Sequence, residues 1–213
     1  MDFNYGKTAS IDIDAQRGFT PLCPNELPVP DGHNIVDALN LQAQHAKFRM
    51  ASMDIHPNTA LWIADEKHPQ LSPITGYRDL DLYWNAHCIV GTEGANLLPG
   101  LPPIEEYDFV AFKGIFINKH PYGACYHDLH DNISTGLIQA LNEAGVDTVI
   151  VGGLALEYCV KMSALQLAKH FRVIVNLNAC RAIGSPDAVI DEMKQAGVIV
   201  CFLSRPRLEW GKE

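Results

Sequence analysis

The stretch Asp147 to Phe171, DTVIVGGLALEYCVKMSALQLAKHF, joins an apolar run to a helical pattern through two glycines, and few folds accept such a join. Thr148 to Val151 is a short β-branched run, the pattern of a parallel strand buried on both faces. Gly152 and Gly153 break it, and from Glu157 onward Val160, Ala164, Leu167 and Ala168 recur at helical spacing. Leu154 to Tyr158 thus form the turn, and Cys159 falls in the first turn of the helix. Free backbone N–H groups and the positive end of the helix dipole favour a thiolate there, the nucleophilic form of cysteine. The same N–H groups could receive an oxyanion formed by attack on a carbonyl. A free cysteine is more often a small core hydrophobe, so the nucleophile reading depends on what the rest of the chain brings to it.

The rest of the chain repeats the strand-to-helix theme. Ala9 to Asp14 alternates as a first strand, with Asp12 and Asp14 on one side of it, and a Pro- and Gly-rich loop runs from Gln16 to Pro30. Asp31 is placed to cap a helix through about Lys47, and Phe48 to Met53 reads as the second strand. Tyr107 to Lys113 is a further strand, followed by a loop with Tyr122, His120, His127 and His130, and by a helix from Ile133 to Ala144. Beyond the Cys159 helix come a strand at Arg172 to Leu177, a helix at Pro186 to Ala196 and a strand at Val198 to Leu203. Alternating strands and helices predict an α/β fold, three-layer α/β/α, with a mostly parallel, doubly wound central sheet. We expect one domain over residues 1–213, a length suited to a single well-buried core.

Composition narrows the partners. A net charge of -9 argues against nucleic acid and anionic membranes, and no apolar run is long enough to span a bilayer. The six cysteines lie scattered without CxxC spacing and no signal peptide precedes them, which suggests free thiols in a reducing cytoplasm. Small molecules are the expected partners. The sequence does not fix the oligomeric state, and a homo-oligomer is left open.

Several polar residues fall at the ends of strands, where open α/β sheets keep their chemistry. Asp14 ends the first strand and Lys113 another; a lysine after an apolar run needs a partner if buried, and Asp14 is the natural one. Asp54-Ile55-His56 places a carboxylate and an imidazole on one side of an extended backbone, able to meet one metal, and His87 is the third candidate. Each has a plainer reading, as surface acid, solvated lysine or loop histidine.

The motifs taken in order resemble the nicotinamidase branch of the isochorismatase-like cysteine hydrolases, over Ile11 to Phe202. Asp14-Ala15-Gln16 with Phe19 is similar to D-x-Q-x-x-F, and Leu27-Pro28-Val29-Pro30-Asp31-Gly32 to the segment after it. Asp54-Ile55-His56-Pro57 resembles D-W-H-P, and Trp84-Asn85-Ala86-His87-Cys88 with Gly91-Thr92-Glu93-Gly94-Ala95 resembles W-P-x-H-C-x-x-G-T-x-G-A. Phe112-Lys113-Gly114 is similar to the catalytic lysine segment, and Gly153 to Val160 to G-x-A-T-D-x-C-V.

The resemblance implies a cysteine amidohydrolase converting nicotinamide, and pyrazinamide as well, to the acid and ammonia through a thioester. Cys159 would be the nucleophile, Asp14 its base and Lys113 their electrostatic support. The backbone N–H groups of Ala155 and Cys159 would form the oxyanion hole, and a cis peptide would lie between Leu154 and Ala155. One divalent metal ion, zinc or else iron or manganese, would sit on Asp54, His56 and His87, and Phe19, Trp84 and Tyr122 would pack on the substrate ring. Trp62 stands where some members have a further histidine, so another ligand would be water, Asp65, Glu66 or His68. Leu156, Glu157 and Arg17-Gly18 depart from the family's usual residues. Alternatives are a hydrolase of another small amide or of isochorismate, which would not use this metal set, and a non-catalytic small-molecule-binding member. A nucleotide-binding domain would need a dinucleotide or phosphate-loop motif, which Gly152-Gly153 lacks.

Overall fold

A computed structural model of the chain describes residues 4–204. Its strands are β1 (Thr8–Ile13), β2 (Phe48–Asp54), β3 (Phe109–Lys113), β4 (Thr148–Gly153), β5 (Arg172–Cys180) and β6 (Ile199–Cys201). They form one sheet of order β3-β2-β1-β4-β5-β6, with every pairing parallel. The helices are α1 (Val36–Ala43), α2 (Leu137–Glu143), α3 (Lys161–Leu167) and α4 (Asp187–Gln195). Leu39 of α1 packs with Ile35, Leu154 and Ala179, whereas Leu141 of α2, Ala164 and Leu167 of α3 and Met193 of α4 pack with Val149, Val151 and Val173. Val149 and Val151 alternate with Gly152 along β4, where a Cβ would meet Leu39 and Ala179, so the two clusters cover opposite faces. The expected three-layer, doubly wound α/β fold is what forms.

The sheet reverses its winding between β1 and β4, and such a switch point opens a crevice at the carboxyl ends of the strands. Register then decides which side chains share the crevice. Asp54 and Lys113 end β2 and β3 as direct partners, and Ile13 pairs with Gly153. Gly153 has φ 142°, and a Cβ there would run into the backbone of Ile13, so only glycine brings β4 this close to β1. The crossover from β2 to β3 runs from 55 to 108 and carries short 3-10 turns instead of an α-helix.

Several boundaries differ from expectation for identifiable reasons. Asp31 adopts a left-handed conformation, φ 55°, and makes no side-chain cap; a 3-10 turn over Gly32–Ile35 precedes α1. Helix α2 starts at Leu137, later than Ile133, because residues before it close the preceding loop: Thr135 N–H donates to Cys125 O and His127 N–H to Ile133 O. Among the described residues no helix is long and apolar enough to cross a membrane.

Candidate active site

Asp14 lies one residue beyond β1 with φ 44°, so the chain leaves the strand and its carboxylate no longer follows the alternation that placed it beside Asp12. Asp14 accepts from Ser52 Oγ at 2.6 Å and pairs with Lys113 Nζ at 2.9 Å. The Lys113 ammonium also donates to Asp54 Oδ1 at 2.7 Å and lies 3.9 Å from Cys159 Sγ. All four side chains are buried, Lys113 completely. Asp14, Asp54 and Cys159 have polar atoms within 4.8 Å of one another. One cation thus faces two carboxylates and the thiol.

Asp12 belongs to a different network. Arg49 donates to it at 2.7 and 3.0 Å and Tyr107 at 2.9 Å, so it is a buried structural acid.

The turn after β4 positions Cys159. The Leu154–Ala155 peptide is cis, at the bond the resemblance indicated. Leu156–Val160 form a π-helical turn whose Tyr158 and Val160 amides converge on the Ala155 carbonyl, and α3 follows only at Lys161. Cys159 is therefore in that π-helical turn and not in the first turn of a regular helix. Burial pushes its thiol well above the usual value, and Asp14 and Asp54 add to that against Lys113. Burial likewise raises Asp14, with Lys113 opposing and Asp54 adding. For Asp54 burial also raises, but Lys113 and His56 outweigh it and hold the carboxyl far below its usual range.

Three imidazoles occupy the next part of the crevice. His56 follows β2, and its Nδ1 is 3.0 Å from the Gly114 carbonyl; a carbonyl only accepts, so Nδ1 carries a proton and Nε2 is the nitrogen left for another partner. His87 Nδ1 likewise donates to Asn85 O at 2.7 Å. Burial, with His56 adding, lowers the His87 pKa to about 3, keeping the neutral, ligating form. Asp54 Oδ2 is 3.5 Å from His56 Nε2. Gln16 fixes the Asp54 backbone from both sides, accepting from its N–H at 2.8 Å and donating to its carbonyl at 2.8 Å. His56 Nε2 is buried and has no hydrogen-bond partner among the described residues, and the donor set of carboxylate and imidazoles fits a divalent transition metal.

The pocket above these groups is lined by Phe19, Trp84, Tyr122, Tyr158, Ala155 and Cys159, with Asp54, His87 and His120 on its polar side. Trp84 Nε1 donates to Tyr122 Oη at 3.1 Å, and Tyr122 Oη donates to Asp81 at 2.9 Å, so both rings are fixed at their polar ends. Phe19 is wall and core at once, since it also packs with Val29 and Leu154.

Residues 8–203 match the Isochorismatase domain family. This chain belongs to that family. Relatives within it include the nicotinamidase of Acinetobacter baylyi, 30% identical with 89% of this chain and 90% of the relative covered. Among solved structures, the nicotinamidase pyrazinamidase of Acinetobacter baumanii superposes with a TM-score of 0.84 at 28% identity, covering 94% of this chain and 98% of that one. The pyrazinamidase of Pyrococcus horikoshii in complex with zinc gives 0.73 at 26% identity, covering 92% and 99%.

The structure brings together Asp14, Lys113, Cys159, Asp54, His56 and His87, with Phe19, Trp84, Tyr122 and Ala155 around them. It does not bring in the loop group Asp65, Glu66 and His68. Asp65 accepts from the His68 ring and backbone, His68 stacks on Tyr83 at 4.7 Å, and all three are exposed. Of the three histidines after β3 only His120 reaches the pocket; His127 packs on Phe116 and His130 pairs with Asp79. Tyr158 and Asp81 are neighbours of the site that sequence reasoning missed, and Gln16, read there only as part of the first motif, supports Asp54. Tyr158 was signalled only by its place next to Cys159.

Proposed function

We propose that the chain is a single-domain, metal-dependent cysteine amidohydrolase that converts nicotinamide, and pyrazinamide, to the corresponding acid and ammonia. The observation that carries this is the convergence of Asp14 and Lys113 on Cys159, which lines a mostly apolar pocket together with His87 and His120. The names of its relatives, nicotinamidases and pyrazinamidases, support the same substrate class.

In this reaction the Cys159 thiol starts neutral and Asp14 starts as the carboxylate. As Cys159 Sγ bonds to the carboxamide carbon, its proton passes to Asp14, and Lys113 stabilises the charge that shifts between them. The backbone N–H groups of Ala155 and Cys159 receive the oxyanion. Collapse breaks the C–N bond, Asp14 returns the proton to the leaving nitrogen, and ammonia departs from a thioester. Asp14 then takes a proton from water as it attacks, and the thiol is restored with nicotinate as product.

Asp54, His56 and His87 would hold one divalent ion, and zinc, iron or manganese all accept such donors. When bound, the ion supplies a Lewis-acid contact for the pyridine nitrogen and so orients the ring. Phe19, Trp84, Tyr122 and Tyr158 exclude water and stack on it. The cysteines are all unpaired, which suits a reducing cytoplasm.

The test is ammonia release from nicotinamide by purified protein as isolated, after chelation, and after adding back zinc, iron or manganese. Release that falls on chelation and returns with metal is expected. No release under any of these conditions would reject nicotinamide as the substrate.

A further inference from the structure

We infer that His120 is a ligand of the metal bound by His56 and His87, so that this chain offers three imidazoles together with Asp54. The inference rests on the proposal that the pocket holds a metal. The His56 and His87 ring centroids are 4.8 Å apart, and that of His120 lies 5.5 Å from the first and 5.8 Å from the second. One ring nitrogen from each falls within 4.8 Å of the others. Nitrogens about 2.0–2.1 Å from one ion lie at most about 4.2 Å apart, so small side-chain rotations close the set.

The hydrogen-bond ledger singles out His120. It is only 4% exposed, yet neither its Nδ1 nor its Nε2 has a hydrogen-bond partner among the described residues. Buried imidazoles without partners are rare, and a neutral one carries a lone pair suited to a metal. The other two histidines each spend Nδ1–H on a backbone carbonyl and present Nε2. Trp62 packs against all three rings, with centroids 4.6 Å from His56, 5.1 Å from His87 and 4.4 Å from His120, and forms a dry wall behind them.

His120 is also held in place by its own loop. Its backbone N–H donates to Asp79 O at 3.0 Å, Asp79 pairs with Lys119 and His130, and Pro121 restricts the chain after it. Charge argues in the same direction. Asp54 already spends Oδ1 on Lys113, so neutral imidazoles supply donors that do not compete for that cation.

Apo protein titrated with zinc against a chromophoric chelator, and with cobalt(II) followed by its visible ligand-field bands, tests this without reference to turnover. Wild type is expected to bind one ion. His120→Ala and the more conservative His120→Asn should each weaken binding at least about tenfold and alter the cobalt spectrum. Free imidazole should restore both in His120→Gly. A His120→Ala protein with wild-type affinity and spectrum but a raised KM would make His120 a substrate contact and overturn the inference. If His56→Ala loses the ion while the His120 variants keep it, the metal reading survives and this one fails. If wild type binds no ion, the metal reading itself fails.

Discussion

Lys113 Nζ lies 2.9 Å from Asp14 and 2.7 Å from Asp54, with its side chain wholly out of contact with solvent. Two anions therefore share one cation; burial lowers the ammonium pKa, but Asp14 and Asp54 outweigh it and hold it well above its usual value. Removing one partner of a buried pair typically costs about 3–5 kcal/mol, because the charge left behind stays desolvated. Lys113→Met should lose about that much in urea unfolding, as well as turnover. Wild-type stability in that variant would mean that Asp14 and Asp54 are not both charged in the folded protein.

Cys159→Ala should abolish ammonia release while shifting the thermal midpoint by only a few degrees, because a buried thiol is a small apolar group. Full turnover would remove Cys159 from the mechanism.

The pH profile follows from Asp14. Burial, with Asp54 adding and Lys113 opposing, raises its pKa above 3.8, and the carboxylate is the proposed base. Activity should therefore fall with acidification along a limb above 3.8, seen as kcat/KM against pH. Asp14→Asn should lower kcat by about 10²–10⁴ and remove that limb. An unchanged limb in the variant would assign it to another group.

Much of this fold was readable because strands buried on both faces announce themselves as apolar runs, as at Thr148 to Val151. Strand ends were readable too, and with them Asp14, Asp54 and Lys113. What resisted reading depends on tertiary hydrogen bonds. Residues 133–136 look helical but are committed to their own loop, and Asp31 looks like a cap but turns left-handed. His120 sits in an aperiodic loop far along the chain from His56, so no spacing rule joins them. Asp12 misled for a simpler reason: alternation pairs it with Asp14 only while the strand continues, and it ends at Ile13.

Asp12 gives a stability prediction separate from the site. Its carboxylate is fully buried, and Arg49 and Tyr107 are its donors. Arg49→Met should destabilise by about 3–5 kcal/mol at neutral pH, with turnover retained in whatever remains folded. The sign with pH is fixed. Burial, opposed by Arg49, already raises the folded pKa above 3.8, and losing Arg49 raises it further. Folding then favours the protonated acid, so stability is greatest below the unfolded pKa and falls as pH rises through the folded one. The deficit relative to wild type should shrink towards pH 3.8, as read by urea midpoints across that range. A deficit that grew on acidification would contradict a buried, raised Asp12.

Gly114 connects backbone to metal site. It has φ 70°, and a Cβ there would overlap the His56 ring at Cε1 and Nδ1, while its carbonyl is the acceptor that fixes the His56 tautomer. Gly114→Ala must therefore either move His56 or shift the chain after β3, where Lys113 is the preceding residue. Strain at positive φ costs about 1–3 kcal/mol, so a lower thermal midpoint is expected in the apo protein. Metal affinity should fall by about 10–100-fold, the usual effect of disturbing a residue that orients a ligand. Chelator competition reads the second effect directly. A variant that loses stability but binds metal as wild type does would show that the Gly114 carbonyl is not what holds His56 in its ligating orientation.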